Sequence, residues 1–195
     1  MRIFIAVLVL IFSLQTWTKA DDIRDFEIEG MSIGDTLLQY YSKDQIISKS
    51  QNILMGGKKY NDWQQIHIEN NNELYDRVSL YFKADDKNYI IKKISAKNYY
   101  INNIDECYDA QIIIWNEVKK ITPNTKKTDL KKEKNPAFPE GDSYQRVAYA
   151  YFTDESYIGV GCSDYSKKDT NSRDRLSVLA VTKEYNTWQH SKDKK

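Results

Sequence analysis

The chain is 195 residues long, which is enough for one domain with a hydrophobic core after an export segment is removed. It carries 29 basic and 28 acidic side chains, and this near balance gives no electrostatic case for nucleic acid or an anionic membrane as a partner. Only two cysteines and two histidines are present, which leaves few residues for a metal site.

Residues 1–20 are typical of a secretory signal peptide. Arg2 supplies the positive start, residues 3–14 form an apolar run, and the small residue Ala20 ends a signal-peptidase site. A membrane anchor is the alternative, but the run is shorter than the roughly 18–20 residues that span a bilayer. We therefore predict cleavage between Ala20 and Asp21, and a periplasmic or secreted mature chain that does not span the membrane. Loss of two basic residues takes their number from 29 to 27, a net charge of −1.

The mature chain begins with an acidic segment in which Phe26 and Ile28 indicate a short strand. Apolar residues at helical spacing then predict a short first helix over residues 33–41. Ser42 is placed to cap a further turn through residues 45–47.

Six later segments alternate apolar and polar residues, which is the period of a half-buried strand. They cover residues 64–69, 75–82, 89–99, 143–154, 157–163 and 175–182. In the first of them Ile66 and Ile68 face inward, which places His67 on the opposite face. Short turns between neighbouring segments, such as Asn70-Asn71-Asn72, imply antiparallel pairing.

The longest helix signal covers residues 103–122. Asn103 is placed to cap its start, acidic residues lie in the first turn and basic residues in the last, which suits the helix dipole. Pro123 then favours termination. A wide stripe recurs at steps of three and four, formed by Ile104, Cys107, Gln111, Ile112, Ile114, Trp115, Val118 and Ile121. A stripe of this width needs a sheet to pack against.

The order of these periods predicts one α+β domain over residues 21–195. We expect an antiparallel sheet of about five or six strands, with the long helix and a shorter helix packed on one face. Residues 123–142 hold all three prolines and five lysines, and are expected to form a Lys/Pro-rich loop. Such a loop is either a solvated surface connection or a functional segment.

The two cysteines, Cys107 and Cys162, both belong to the mature chain. An even number in an exported protein favours a disulfide, here one that ties the long helix to the strand at 157–163. Two buried free thiols are the alternative. A metal site is disfavoured because only His67 and His190 are available as further soft ligands.

The stretch from Asp25 to Asp35, followed by Leu37-Leu38, resembles an uncharacterised family of small exported bacterial proteins. Asp105-Glu106-Cys107 on a helix and a strand ending at Cys162 agree with that resemblance, which implies an exported domain of unknown function. Gly30-Met31-Ser32 is also similar to small periplasmic modules, such as the smallest outer-membrane assembly lipoproteins, in which this tripeptide opens a helix packed on an antiparallel sheet. The chain lacks their lipidation cysteine.

No residue set for catalysis, cofactor binding or metal binding is recognisable. His190 lies near the C-terminus, so a histidine-dependent catalyst would rest on His67 alone, and Asp85-Asp86 lacks the spacing of a calcium loop. The favoured hypothesis is a non-catalytic periplasmic binding or protein-interaction module, whose partner is another envelope protein. The alternative is a small periplasmic enzyme, a carboxylate-dependent hydrolase, because its acidic residues need not be near in sequence.

Overall fold

The computed structural model describes residues 20–55, 57–69, 74–100 and 103–193. In chain order its strands are β1 (Glu27–Ile28), β2 (Met31–Ser32), β3 (Gln51–Met55), β4 (Lys58–Glu69), β5 (Arg77–Lys83), β6 (Lys93–Tyr100), β7 (Lys126–Lys127), β8 (Lys131–Lys134), β9 (Tyr144–Tyr151), β10 (Tyr157–Asp164) and β11 (Asp174–Val181). The α-helices of these residues are α1 (Lys43–Lys49), α2 (Ile104–Ile121) and α3 (Lys183–Asp193). The turn predicted at 70–72 and most of the predicted signal peptide lie outside the described residues.

One antiparallel sheet organises the domain. Its order is β3-β4-β5-β6-β11-β10-β9-β7, and β8 also pairs with β9. The fold is therefore α+β as predicted, and all six predicted strands are present. The predicted number of five or six strands is wrong, because the described residues alone give the sheet nine strands.

The additional strands lie at the two edges of the sheet. The segment 123–142, expected to be a loop, contains β7 and β8, both of which pair with β9. Their sequences are made of lysine and glutamate, without the apolar alternation that marks a half-buried strand. Charged edge strands of this kind also discourage pairing with another chain.

Two antiparallel halves meet at the centre of the sheet. Strands β3 to β6 form one half and β9 to β11 the other, and β6 pairs with β11 over eight residues from Lys93↔Val181 to Tyr100↔Asp174. Helix α2 connects the halves in the chain and packs on the apolar face of the sheet, mainly against β10 and β11. The core on that face includes Leu80, Ile94, Val160 and Val178.

Helix α2 forms as its sequence predicts. The Asn103 side chain accepts a hydrogen bond from the backbone N–H of Glu106 at 3.3 Å, and the helix ends at Thr122. Its buried residues are Cys107, Gln111, Trp115 and Val118. The predicted stripe is too wide on one side, since Ile112 is 42% exposed.

A disulfide and a buried amide fasten α2 to the sheet. Cys107 and Cys162 are bonded, with Cα atoms 6.1 Å apart, and both are fully buried. One turn further along the helix, the Gln111 side-chain amide donates to the backbone oxygens of Arg146 (2.5 Å) and Val160 (3.0 Å). The Gln111 oxygen accepts from Arg146 Nε at 2.7 Å, so the buried amide is fully satisfied.

The helix predicted over residues 33–41 is wrong. Only Leu37–Gln39 form a single 3₁₀ turn, and the α-helix begins after Ser42, which caps α1. The backbone before this turn pairs with a distant segment instead of with itself. Gly34 N–H donates to Ile91 O at 2.9 Å, and Ile91 N–H donates to Asp35 O at 2.8 Å.

The tripeptide Gly30-Met31-Ser32 does not open a helix either. Glu29 and Gly30 both have positive φ angles, 53° and 70°, and form the tight turn between β1 and β2. Two successive positive φ values suit the right-handed twist of a hairpin, and glycine adopts them without steric cost.

The predicted pair of helices on one face leaves out a third helix, α3, which packs on the side of the sheet opposite α2. There Tyr185 contacts Trp63 and Tyr81, with ring centroids 4.9 and 5.3 Å apart. Trp188 Nε1 donates to Asp62 at 2.5 Å. The sheet therefore has a second, smaller apolar cluster on this side.

The predicted cleavage site lies beside the end of α2. Ala20 is buried and its N–H donates to Ile121 O at 2.8 Å, while Asp21 is exposed and accepts from the Asn124 side chain. Cleavage between Ala20 and Asp21 stays a prediction.

Candidate functional site

The side of the sheet opposite α2 carries polar residues at the positions that alternate with the core. These are His67 on β4, Arg77 and Ser79 on β5, Lys93, Ser95 and Lys97 on β6, and Arg175 and Ser177 on β11. Their neighbours on the same strands, such as Ile66, Val78 and Val178, are buried against α2. Because of this alternation, the core lies on one side of the sheet and a basic, hydroxyl-rich surface lies on the other.

Helix α3 covers only one end of this surface. Lys93 lies beneath it, with its ammonium 4.8 Å from the Tyr81 ring centre and 4.7 Å from the Tyr185 ring centre. Burial, and then the charge of Lys97, lower the pKa of Lys93 to about 7. Lys97 is four residues further along β6, roughly 13 Å away, beyond the contacts of α3.

Three basic residues gather at the uncovered end. In the pairing of β5, β6 and β11, Lys97 lies directly opposite both Arg77 and Ser177. Arg175 precedes Ser177 by two residues, so its side chain leaves the same face of β11. We call Arg77, Lys97 and Arg175 together the basic face.

Aromatic rings hold the guanidinium groups of the basic face. The Arg175 guanidinium lies over the Tyr165 ring, 5.0 Å from its centre. The Tyr99 ring has Arg77 and Arg173 beside it, at 5.9 and 4.9 Å. Stacking on a ring restrains a guanidinium while leaving its N–H groups free to donate.

The Lys97 ammonium is half-buried among positive charges. Burial, followed by the charges of Arg175 and Arg77, lowers its pKa to about 8, against which Glu69 acts weakly. Burial, followed by the charges of Arg77 and Lys97, also lowers the pKa of His67. Its Nδ1 lies 2.8 Å from Ser79 Oγ.

Two bases of this site lack the acidic partners that several other bases of the sheet have. Lys83 and Lys92 both pair with Glu184, and Lys132 pairs with Asp164. Arg77 pairs with Glu69 at 2.6 Å. Within the described residues, neither Lys97 nor Arg175 has a carboxylate oxygen within 4.0 Å of its nitrogens. Arg175 Nε is buried and has no hydrogen-bond partner in that part of the chain.

The acidic residues Asp86 and Asp22 stabilise turns of the backbone. Asp86 organises a turn, where its side chain accepts from the N–H groups of Asn88 and Ile90. Asp22 caps a 3₁₀ turn and pairs with Arg24. Among the described residues, no group of three or more His, Cys, Asp or Glu side chains is placed to hold a metal ion. His67 faces away from the core, as predicted, and borders the basic face.

Sequence reasoning missed the basic face itself. Each of its three residues occupies a polar position in a predicted strand. That position predicts which side of the sheet the residue lies on, but not which residues of other strands lie beside it. The best-formed concavities are shallow and lie elsewhere. One runs along α2 at Ile113, Asn116 and Lys120, and the other lies beside β3. Neither brings two carboxylates together among its described lining residues.

Comparisons with known proteins do not assign the chain to a family. No protein-family model matches it, and no curated protein is significantly similar. Two solved structures are similar to it, a Ran-binding protein Mog1p from Saccharomyces cerevisiae and a mutant form of the protein Mog1. The first is 13% identical with a TM-score of 0.30, over 73% of this chain and 82% of that one. The second is 14% identical with a TM-score of 0.29, over 73% and 84%. These scores are too low to support an inference about function.

Within the described residues, no helix has the length and apolar character needed to cross a membrane.

Proposed function

We propose that the mature protein is a non-catalytic binding module outside the cytoplasm, and that the basic face binds an anionic group of its ligand or envelope partner. The observation that carries this proposal is the pair Lys97 and Arg175, two half-buried bases without an acidic partner among the described residues. Burying an uncompensated charge lowers folding stability, and such a group persists where it serves binding or catalysis.

The shape of the site favours binding over catalysis. The basic face lies on an open sheet, whereas an enzyme needs a pocket that excludes water around the reacting groups. His67 Nδ1 lies 2.8 Å from Ser79 Oγ, but the nearby carboxylate of Glu69 pairs with Arg77 at 2.6 Å rather than with the imidazole, so an acid–base–nucleophile set is not assembled among these described residues. A rigid sheet presenting fixed cations is suited to recognition of a charged group.

The proposal also places the mature protein outside the cytoplasm. A buried disulfide is compatible with an oxidising compartment outside the cytoplasm, and the N-terminal sequence predicts a signal peptide. The full chain, expressed in a bacterium, should be recovered from the periplasm or medium with the intact mass of residues 21–195. Recovery of the uncleaved chain from the cytoplasm would contradict this part of the proposal.

Charge reversal tests the binding surface. The mature protein, immobilised, is exposed to envelope extract at low salt and eluted with increasing salt. The double variant Lys97→Glu/Arg175→Glu should lose the components that the wild type retains. Lys119→Glu/Lys120→Glu makes the same charge change on the outer side of α2 and should retain them. The proposed surface is wrong if the double variant and the wild type retain the same components.

A further inference from the structure

We propose that the basic face binds a tetrahedral oxyanion carrying two negative charges, a phosphate monoester or a sulfate, in preference to a carboxylate. This inference rests on the proposed function and names the chemical class of its ligand. It is carried by the arrangement of Arg77, Lys97 and Arg175 around one point on the sheet.

The three cations converge because of the strand register. Arg77 and Lys97 are direct cross-strand neighbours, so their Cβ atoms lie about 5 Å apart. On the other side of Lys97, Ser177 is the direct neighbour and Arg175 the diagonal one. A ligand above Lys97 is therefore within reach of two guanidinium groups, one ammonium and one hydroxyl. Guanidinium groups match two oxygens of an oxyanion at once, and the ammonium adds a point charge.

The charge balance favours a dianion. Arg77, Lys97 and Arg175 carry three positive charges, and the Glu69 carboxylate that pairs with Arg77 neutralises one of them, which leaves two on a half-buried surface. A bound dianion neutralises both of these charges, whereas acetate neutralises only one. An uncompensated charge at this depth lowers the stability of the complex, so the second negative charge is favoured.

The donors are already oriented. Tyr165 restrains the Arg175 guanidinium, and Glu69 together with Tyr99 restrains that of Arg77. Arg175 Nε is buried, without a partner among the described residues, so a ligand oxygen that reaches it satisfies an unpaired donor. Preorganised donors reduce the entropy lost on binding. Phe138, from the segment between β8 and β9, packs on Tyr165 and steadies that ring.

Two other surfaces offer less to a ligand. Strand β3 forms an uncharged sheet edge near the exposed residues Ile47 and Leu54, but nothing in the structure shows what would cover it. Lys132 and Lys134 lie over the Tyr144 ring, yet Lys132 already pairs with Asp164.

Titrating the full mature chain with sodium sulfate, phosphate and acetate at constant ionic strength and pH 7 tests the proposal. NMR shift changes in the backbone amides of β6 and β11 report binding. We expect sulfate and phosphate to bind at least tenfold more tightly than acetate. Arg175→Met and Lys97→Met should each weaken sulfate binding roughly tenfold to a hundredfold, because each removes a charge-assisted hydrogen bond. Lys119→Met should leave it unchanged.

A conservative variant guards against misfolding. Arg175→Lys keeps the charge and should bind sulfate more weakly than the wild type but more tightly than Arg175→Met. Sedimentation with phosphatidylcholine vesicles, with and without phosphatidic acid, distinguishes a lipid phosphomonoester from a soluble one. Binding to either source supports the proposal, provided that Arg175→Met abolishes it.

Equal affinity for sulfate and acetate, or sulfate binding that survives both Met variants, would overturn the inference. The proposed function would still stand if charge reversal removed the retained envelope components. If sulfate bound as expected but charge reversal changed nothing in the envelope assay, the oxyanion site would stand and the proposed partner binding would fail.

Discussion

Lys97 occupies a position that lowers the stability of the folded chain. Its folded-state pKa is about 8, below its ordinary value of 10.5, because of burial and the neighbouring Arg175 and Arg77. Between those two values the unfolded chain binds more protons than the folded chain, so the unfolding free energy rises with pH. Below pH 8 the full cost of keeping this ammonium charged is present. A residue that destabilises the fold in this way is characteristic of a binding site.

The first prediction concerns Lys97→Met. Urea unfolding at pH 7 should show a gain of roughly 1–3 kcal/mol in unfolding free energy, because the buried charge is gone. The gain should shrink as the pH rises from 8 toward 10.5 and be absent above about pH 11.5, where Lys97 is deprotonated in both states. Arg77, Arg175 and Glu69 face Lys97 and are present in both proteins, as is Lys93.

The exposed Lys119→Met serves as its control and should change the unfolding free energy by less than about 0.5 kcal/mol at either pH. A lower unfolding free energy for Lys97→Met at pH 7 would mean that the ammonium is paired and that its charge does not destabilise the folded chain.

At the scale of elements, α2 is the piece that joins the two halves of the sheet. Its attachment is covalent as well as apolar, since Cys107 is bonded to Cys162 across a separation of 55 residues. The closed segment includes β7, β8 and β9, two of which are short edge strands. Closing a long segment restricts the unfolded chain more than closing a short one.

The second prediction is that the double variant Cys107→Ala/Cys162→Ala unfolds at a much lower temperature. The chain-entropy estimate for a segment of this length is about 4 kcal/mol of unfolding free energy, comparable to the whole stability of a small domain. Thermal unfolding by circular dichroism measures it. Reductant should lower the melting temperature of the wild type and not that of the variant.

Thiol titration of the denatured, unreduced protein gives an independent check on the bond. It should detect no free thiol in the mature chain, and two thiols per chain would rule the disulfide out.

At the scale of the whole molecule, the sheet has a different kind of cover on each face. Helix α2 covers the extended apolar core, and α3 covers a small aromatic cluster of Ile53, Trp63, Tyr81, Val181 and Tyr185. The basic face lies beyond the contacts of α3. Because α3 covers the other end, the exposed part of the polar surface lies at one end of the sheet.

The third prediction is that Tyr185→Ala detaches α3. Tyr185 is 2% exposed, and truncating a buried aromatic residue typically lowers the unfolding free energy by about 3–5 kcal/mol. Because the ring also covers Lys93, its loss should raise the pKa of that lysine from about 7 toward the ordinary value. Urea unfolding and NMR titration of the Lys93 side chain measure the two effects.

Thr187→Ala, at an exposed position of the same helix, should leave both quantities near their wild-type values. An unchanged Lys93 pKa in Tyr185→Ala would show that α3 is not what buries this lysine.

Local patterns in the sequence predict the six long strands, α2 and the disulfide partners, because these depend on local periodicity, capping and the count of cysteines. His67 was also placed correctly, since side chains alternate strictly along a strand. Residues 33–41 were misjudged because their backbone hydrogen bonds go to residues 89–91, a choice that no local pattern contains.

The basic face exists only in the folded chain. Arg77, Lys97 and Arg175 lie on three strands, and their meeting depends on β6 pairing with both β5 and β11 in one register. A shift of one residue in the β6–β11 pairing would turn Arg175 to the opposite side of the sheet. Alternation along one strand shows which side of the sheet a residue occupies, but its cross-strand neighbours are set by pairing between distant segments.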